Sequence, residues 1–215
     1  QITKREIRAA TLSKLAPRHG ELLWDVGAGT GSISIEWMLA SPHNRAIAIE
    51  PRADRLDRVA RNAALFGVPD LVPVQGFAPA ALESLPTPNA IFLGGGGSDP
   101  DLVRLCMARL APGGRLVVNA VTIQTQAEVI AAFEAHGGDL VQISVARAVP
   151  IGRFHGFRPA MPIVQWTWQK PAGAAVENPV ENRGTTVGTT LGTNGGDHTA
   201  DLGENDVDIL GEDGA

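Results

Sequence analysis

Along the first 170 residues, apolar runs short enough to be strands alternate with stretches of helical spacing. Residues 21–26 (ELLWDV) and 45–50 (RAIAIE) are near-continuous apolar runs, as expected of strands buried on both faces. Further strands are predicted at 71–76, 90–93 and 115–121, with Pro73 placing the first of these at a sheet edge. The spacing predicts helices over 32–40, 52–66 and 99–110, the last stopped by Ala111-Pro112-Gly113-Gly114. Residues 124–136 read as a helix closed by Gly137-Gly138, and 4–15 as an extra helix ahead of the first strand. Two strands, 140–148 and 163–168, complete the pattern, joined by a loop rich in Arg and Gly. This alternation predicts an α/β fold: a Rossmann-like, seven-stranded, mostly parallel sheet with helices on both faces and an antiparallel last strand pair.

Beyond residue 170 the pattern stops, and Gly, Thr, Asn and acidic residues take over. Such a segment buries too little apolar surface to offset its ordering entropy. The expected organisation is a domain over 1–170 and an acidic, disordered tail over 171–215. The charge balance follows the same division. From Pro171 onward nine acids face one base, Arg183, a balance of -8; of the overall -5, the first 170 residues therefore carry +3. A mild positive balance permits an anionic small substrate and is far from the basic footprint of a DNA binder. Aromatic residues make up 5% with no Tyr, which argues against a base-stacking surface. The single cysteine, Cys106, rules out an internal disulfide and fits a reducing, cytoplasmic compartment. No apolar stretch approaches bilayer length, so neither membrane nor nucleic acid is an expected partner. The chain opens on Gln1 rather than Met, and is read either as trimmed or as the downstream part of a longer polypeptide.

The strongest chemical signal is Asp25-Val26-Gly27-Ala28-Gly29-Thr30-Gly31, where a strand should turn into a helix. A dinucleotide fingerprint needs glycine at the sixth loop position, which is Ser32 here. The G-x-G-x-G spacing instead suits a cofactor without a pyrophosphate, S-adenosylmethionine. Asp25 is placed to accept from its methionyl ammonium, directly or through water. Glu50 ends the second strand at the carboxyl edge of the sheet, where an acid can accept both ribose hydroxyls. Phe77 and Ala78 follow the third strand, where an adenine would lie; a core Phe closing the sheet is an equally open reading of Phe77. The run Gly94, Gly95, Gly96 and Gly97 ends the fourth strand, where a methyl acceptor would meet the cofactor. Arg147, Arg153 and Arg158 cluster late in the chain and are candidates for binding carboxylates, against the alternative of a solvated basic loop. No catalytic residue can be assigned; His155, with Arg153 beside it, is the candidate proton donor or acceptor. No residue set has metal-ligand spacing, so no metal is expected.

Several of these strings together resemble the decarboxylating precorrin methyltransferases of cobalamin biosynthesis over residues 2–170. Thr3-Lys4-Arg5-Glu6-Ile7-Arg8 is similar to the family's opening T-K-x-E-V-R. Gly76-Phe77-Ala78-Pro79-Ala80-Ala81-Leu82 is similar to its G-x-A-P-x-A-L, and 94–97 to its G-G-x-G loop. The resemblance implies that Thr3, Gly27, Ala28, Gly29, Thr30, Gly31, Glu50 and Ala78 contact S-adenosylmethionine. It also implies methylation of a meso carbon of an anionic tetrapyrrole with loss of carbon dioxide from an acetate side chain. Larger fused members carry this domain as their C-terminal half, behind an upstream methyltransferase domain, and relatives form homotetramers. One departure is Phe77, where many relatives have Asp, which removes a carboxylate contact to the adenine amine. On the residues alone three other functions stay open: a methyltransferase of this fold acting on RNA or another small molecule, a non-catalytic cofactor-binding module, and a nicotinamide-dependent dehydrogenase.

Overall fold

A computed structural model describes residues 4–173 of the chain. Thr3 and the expected tail from 174 onward lie outside the described residues. The elements run α1 (Arg5–Leu15), β1 (Leu22–Val26), α2 (Ser32–Leu39), β2 (Arg45–Glu50), α3 (Ala53–Leu65) and β3 (Val72–Gln75). A single 3-10 turn, Ala80–Leu82, leads to β4 (Ala90–Leu93), α4 (Pro100–Arg109), β5 (Arg115–Ala120) and α5 (Ile123–His136). Four more strands follow: β6 (Asp139–Ile143), β7 (Ala146–Ile151), β8 (Phe154–Pro159) and β9 (Ile163–Gln169).

Seven strands form one sheet in the order β3-β2-β1-β4-β5-β9-β6. β9 is antiparallel to both of its neighbours, β5 and β6, while β1 to β5 pair in parallel. β3 is an edge strand, which is where Pro73, lacking an N–H, is tolerated. Alternation along the central strands divides the core between the two faces. Leu22, Trp24 and Val26 of β1 join Leu102, Val103, Cys106 and Val129 from α4 and α5 on one face. Leu23 joins Leu15, Ile33, Trp37, Val59 and Ala63 from α1, α2 and α3 on the other. The runs look uniformly apolar because both faces are covered.

The segment expected to be a loop is a β-hairpin instead. β7 and β8 pair only with each other, with Arg147 opposite Arg158 and Ile151 opposite Phe154. The run expected as one strand over 140–148 accordingly splits into the end of the sheet strand β6 and the start of β7. Its residues escape a pattern reading because the hairpin does not pack on the core, so neither face needs to be apolar.

The chain leaves β1 toward β2 and β3 on one side, then returns to place β4 on the other. Such a reversal opens a crevice at the carboxyl ends of the strands, the usual ligand position in sheets of this kind.

Candidate functional site

The turn after β1 is built on backbone. Both Gly27 N–H (2.9 Å) and Ala28 N–H (3.1 Å) donate to the Ile49 carbonyl of β2. Gly27 has φ +78, and a Cβ there would stand 2.9 Å from the Gly95 nitrogen. The glycine turn and the glycine run after β4 therefore touch backbone to backbone. Gly94 likewise lies under the Phe92 ring, and a Cβ on it would meet Phe92 Cε1 at 2.9 Å. Close packing, rather than looseness, is the reason for glycine at 27 and 94, whereas a Cβ on Gly95 would make only an ordinary contact, 3.8 Å from Gly27 Cα.

Two acids sit beside this turn. Glu50 is 2% exposed; its Oε2 accepts from Gly29 N–H at 3.0 Å and its Oε1 from Arg52 N–H at 3.2 Å. Asp25 is buried on β1, where Oδ2 accepts from the Ser34 hydroxyl (2.7 Å) and Ser34 N–H (3.2 Å). Asp25 Oδ1 has no partner. Burial pushes the Asp25 carboxyl up to about 6 and the Glu50 charge pushes the same way, against the lowering by Ser34.

A cavity of about 470 Å³ opens beside the turn. Gly27, Ala28, Gly29 and Gly94 line it at one part of its wall, and Arg55 and Phe92 flank them. Ile143, Val145, Ala160, Met161 and Ile163, from the end of β6, the base of the hairpin and the start of β9, give it an apolar wall. Lys4 and Ile7 of the α1 segment and Asn119 of β5 also line it.

A family model described as a precorrin methyltransferase domain matches residues 1–170. The chain belongs to that family. It is 56% identical over 170 residues to a precorrin-6Y C(5,15)-methyltransferase [decarboxylating] of Sinorhizobium sp., covering 79% of this chain and 41% of that protein. The chain thus spans about two fifths of that relative's length. It is 36% identical over 174 residues to the cobalt-precorrin-6B C(15)-methyltransferase (decarboxylating) of Salmonella typhimurium, covering 79% of this chain and 89% of the relative. Among solved structures, the C-terminal domain of precorrin-6Y C5,15-methyltransferase from Rhodobacter capsulatus superposes with a TM-score of 0.75 at 48% identity, covering 79% of this chain and 91% of that one. The architecture is that of the S-adenosylmethionine-dependent methyltransferases.

Within this precorrin methyltransferase domain, Gly27, Ala28, Gly29 and Gly94 line the cavity, whereas Asp25, Thr30, Gly31, Glu50, Gly95 and Gly96 do not; Glu50 meets the turn through the Gly29 N–H. Phe77 is 77% exposed, so the reading of it as a core residue closing the sheet is wrong. Neither Phe77 nor Ala78 lines the cavity. The hairpin residues stand apart from it as well. Arg147 is held in an ion pair with Glu6 of α1, Arg153 stacks over the Phe154 ring at 5.0 Å, and His155 and Arg158 are exposed on β8. Sequence reasoning passed over Lys4, Asn119 and the apolar wall at Val145 and Ile163. The wall was not findable, because its residues come from two stretches, 143–145 and 160–163, that meet only once the hairpin between them forms. Asn119 carried a signal: it is the polar residue inside the apolar run RLVVNAV. Among the described residues no group of three or more His, Cys, Asp or Glu could hold a metal, and no helix is long and apolar enough to cross a membrane.

Proposed function

We propose that this chain is the domain that methylates a meso carbon of a precorrin tetrapyrrole, using S-adenosylmethionine, with decarboxylation of an acetate side chain, in cobalamin biosynthesis. One observation carries the reading: in a chain of this family, a single cavity is lined both by the glycine turn and by an apolar wall at the hairpin base.

The residues fit the cofactor. Asp25 Oδ1 is a buried, unpartnered acceptor beside the turn, a position an ammonium group satisfies directly or through water. Glu50 keeps lone pairs free for two ribose hydroxyls after its two N–H bonds. The exposed Phe77 ring can cover an adenine whose edge is read by the Ala78 backbone, and Thr3 completes the set implied by the family. When bound, the cofactor supplies an electrophilic methyl group on sulfonium. The macrocycle offers the nucleophilic carbon and takes up the electron pair left as carbon dioxide departs. The chain's own residues then have to hold the two reactants in line and keep water out, and orientation supplies much of the acceleration.

A cavity of this size suits one small ligand. A macrocycle therefore presents an edge to it and lies mostly at the mouth. Arg147, Arg153 and Arg158 are the candidates to bind its outer carboxylates, Gly94, Gly95 and Gly96 to border it, and His155 or Arg153 to serve a proton transfer. The partial coverage of the Sinorhizobium relative fits an upstream fused domain as partner. A lone two-stranded hairpin is marginal in water, and this one exposes Ile151, Phe154 and Phe157. Other copies of the chain cover it, in the homotetramer that the family resemblance implies. The single cysteine fits a cytoplasmic location.

The test is calorimetric titration with S-adenosylmethionine of the wild-type chain and Glu50→Ala, followed by turnover on a precorrin substrate. Saturable binding, weakened about tenfold or more by loss of the charge-assisted ribose contact, is expected. Saturable binding that Glu50→Ala leaves unchanged overturns the ribose assignment. Absence of binding to the wild type overturns the whole reading.

A further inference from the structure

The sheet contains a polar cluster that the cofactor site does not use. Thr11 of α1, Asn119 of β5 and Gln165 of β9 meet on the face covered by α1, and Thr11 and Gln165 are fully buried. Asn119 and Gln165 are directly opposite in the β5–β9 register. Asn119 Nδ2 donates to Thr11 Oγ1 at 3.0 Å, and Gln165 Nε2 donates both to Thr11 Oγ1 (3.1 Å) and to Asn119 Oδ1 (2.8 Å).

The polarity of this cluster is fixed by one hydroxyl. Thr11 donates its proton to the Ile7 carbonyl one turn back, at 2.8 Å. A hydroxyl has one proton and two lone pairs, so toward the amides Thr11 can only accept. Both amides must turn their NH2 ends to it, which leaves Asn119 Oδ1 facing the second Gln165 N–H. Every donor and acceptor of Thr11 and both donors of Gln165 are then used. Asn119 alone keeps an uncommitted N–H, and Asn119 lines the cavity. The orientation is held at a cost: Gln165 Oε1 is buried without a partner.

We propose that Asn119 is a positioning residue for the acceptor, donating its remaining N–H to a carboxylate oxygen on the tetrapyrrole's periphery, with Thr11 and Gln165 fixing its direction. The inference rests on the proposed function. Placement distinguishes acceptor from cofactor. Asp25 and the glycine turn belong to β1 and Glu50 to β2, whereas Asn119 is on β5, two strands beyond β1. At the spacing of neighbouring strands that is roughly 10 Å. There the cavity wall is apolar, with Val121 and Ile163 adjacent, which strengthens a hydrogen bond to a charged oxygen. The Lys4 side chain lines the same cavity and adds a positive charge, favouring a carboxylate over a neutral carbonyl.

The experiment measures KM and kcat for the precorrin alongside the calorimetric Kd for S-adenosylhomocysteine, in the wild type, Asn119→Ala, Thr11→Val and Thr11→Ser, with melting curves to register loss of fold. Asn119→Ala is expected to raise the precorrin KM about tenfold or more, leaving the S-adenosylhomocysteine Kd within about twofold. Thr11→Val, which touches no ligand, is expected to shift KM in the same direction, and Thr11→Ser to restore it, since a serine hydroxyl accepts the same two bonds. An unchanged KM in Asn119→Ala, or a parallel loss of S-adenosylhomocysteine binding, overturns the proposal and leaves the proposed function standing. A Thr11→Val effect that Thr11→Ser does not restore overturns the positioning role of Thr11. A wild type that binds the cofactor product without turning over the precorrin overturns the proposed function, and this inference with it.

Discussion

At the scale of single residues, the proposed cofactor site includes a buried acid whose charged form is disfavoured without a cation beside it. Burial holds the Asp25 carboxyl at about 6, above the ordinary aspartate value of 3.8. Because the folded form binds the proton more tightly than the unfolded chain, the associated stability is fully present below about 4. It is lost as pH rises through about 6, amounting to roughly 3 kcal/mol once Asp25 is ionised. A ligand ammonium near Oδ1 reverses the preference, since it favours the carboxylate. Cofactor affinity is therefore expected to fall as pH drops below about 6, and binding near pH 5 to release a proton. Calorimetry in two buffers of different ionisation enthalpy reads that proton directly, and Asp25→Asn should abolish the dependence. The string DVGAGTG made Asp25 legible as a candidate, but a string carries no burial, so its shifted titration was not. The glycines illustrate the same gap. A need for close approach was legible in the run from Gly94, yet the backbone that crowds Gly27 is that of Gly95, which only the fold brings within reach.

At the scale of elements, the position of α1 decides how much of the cavity exists, because Lys4 and Ile7 line it. One buried arginine ties down the end of that helix. Arg115 of β5 donates to the Leu15 carbonyl at 2.9 Å and the Ala16 carbonyl at 3.0 Å, and grips Glu21 with both terminal nitrogens. Burial alone would raise the Glu21 carboxyl, but hydrogen bonding to Arg115 and its charge outweigh that and hold it below the ordinary range. Arg115→Met leaves Glu21 with only the Arg18 N–H and removes the arginine donor from two helix-end carbonyls, and is expected to cost about 3–5 kcal/mol, as removal of one partner from a buried pair does. Chemical denaturation gives the loss, and hydrogen exchange should show it concentrated in α1, with cofactor affinity falling alongside. Nothing in the sequence pointed to this tie, since Arg115 and Glu21 are 94 positions apart. The strands themselves were legible because their apolar runs are local. The partners that lock them are not.

At the scale of the whole molecule, the chain's least legible part is also its least covered. In β7 and β8, Arg, Gly, Pro and His interrupt the apolar residues on both faces, so neither strand alternation nor helical spacing emerges. The pairing is nonetheless complete from Ala146 opposite Pro159 to Ile151 opposite Phe154. Phe157 is 80% exposed on one face, while Ile151 and Phe154 lie together on the other. A protomer in isolation would leave both faces in water, with three large apolar side chains on a two-stranded ribbon that has no core beneath it. Association of copies through this hairpin, as proposed, would remove the cost without disturbing the cavity, which none of the three residues lines. Sedimentation velocity is therefore expected to show an oligomer for the wild-type chain and smaller species for Phe157→Glu. Titration with S-adenosylhomocysteine should give the same affinity for both, because none of the residues proposed to hold the cofactor lies on β7 or β8. If Phe157→Glu leaves the sedimentation unchanged, the hairpin is not the assembly surface. If it weakens cofactor binding in step with assembly, the site is completed across the interface rather than within one chain.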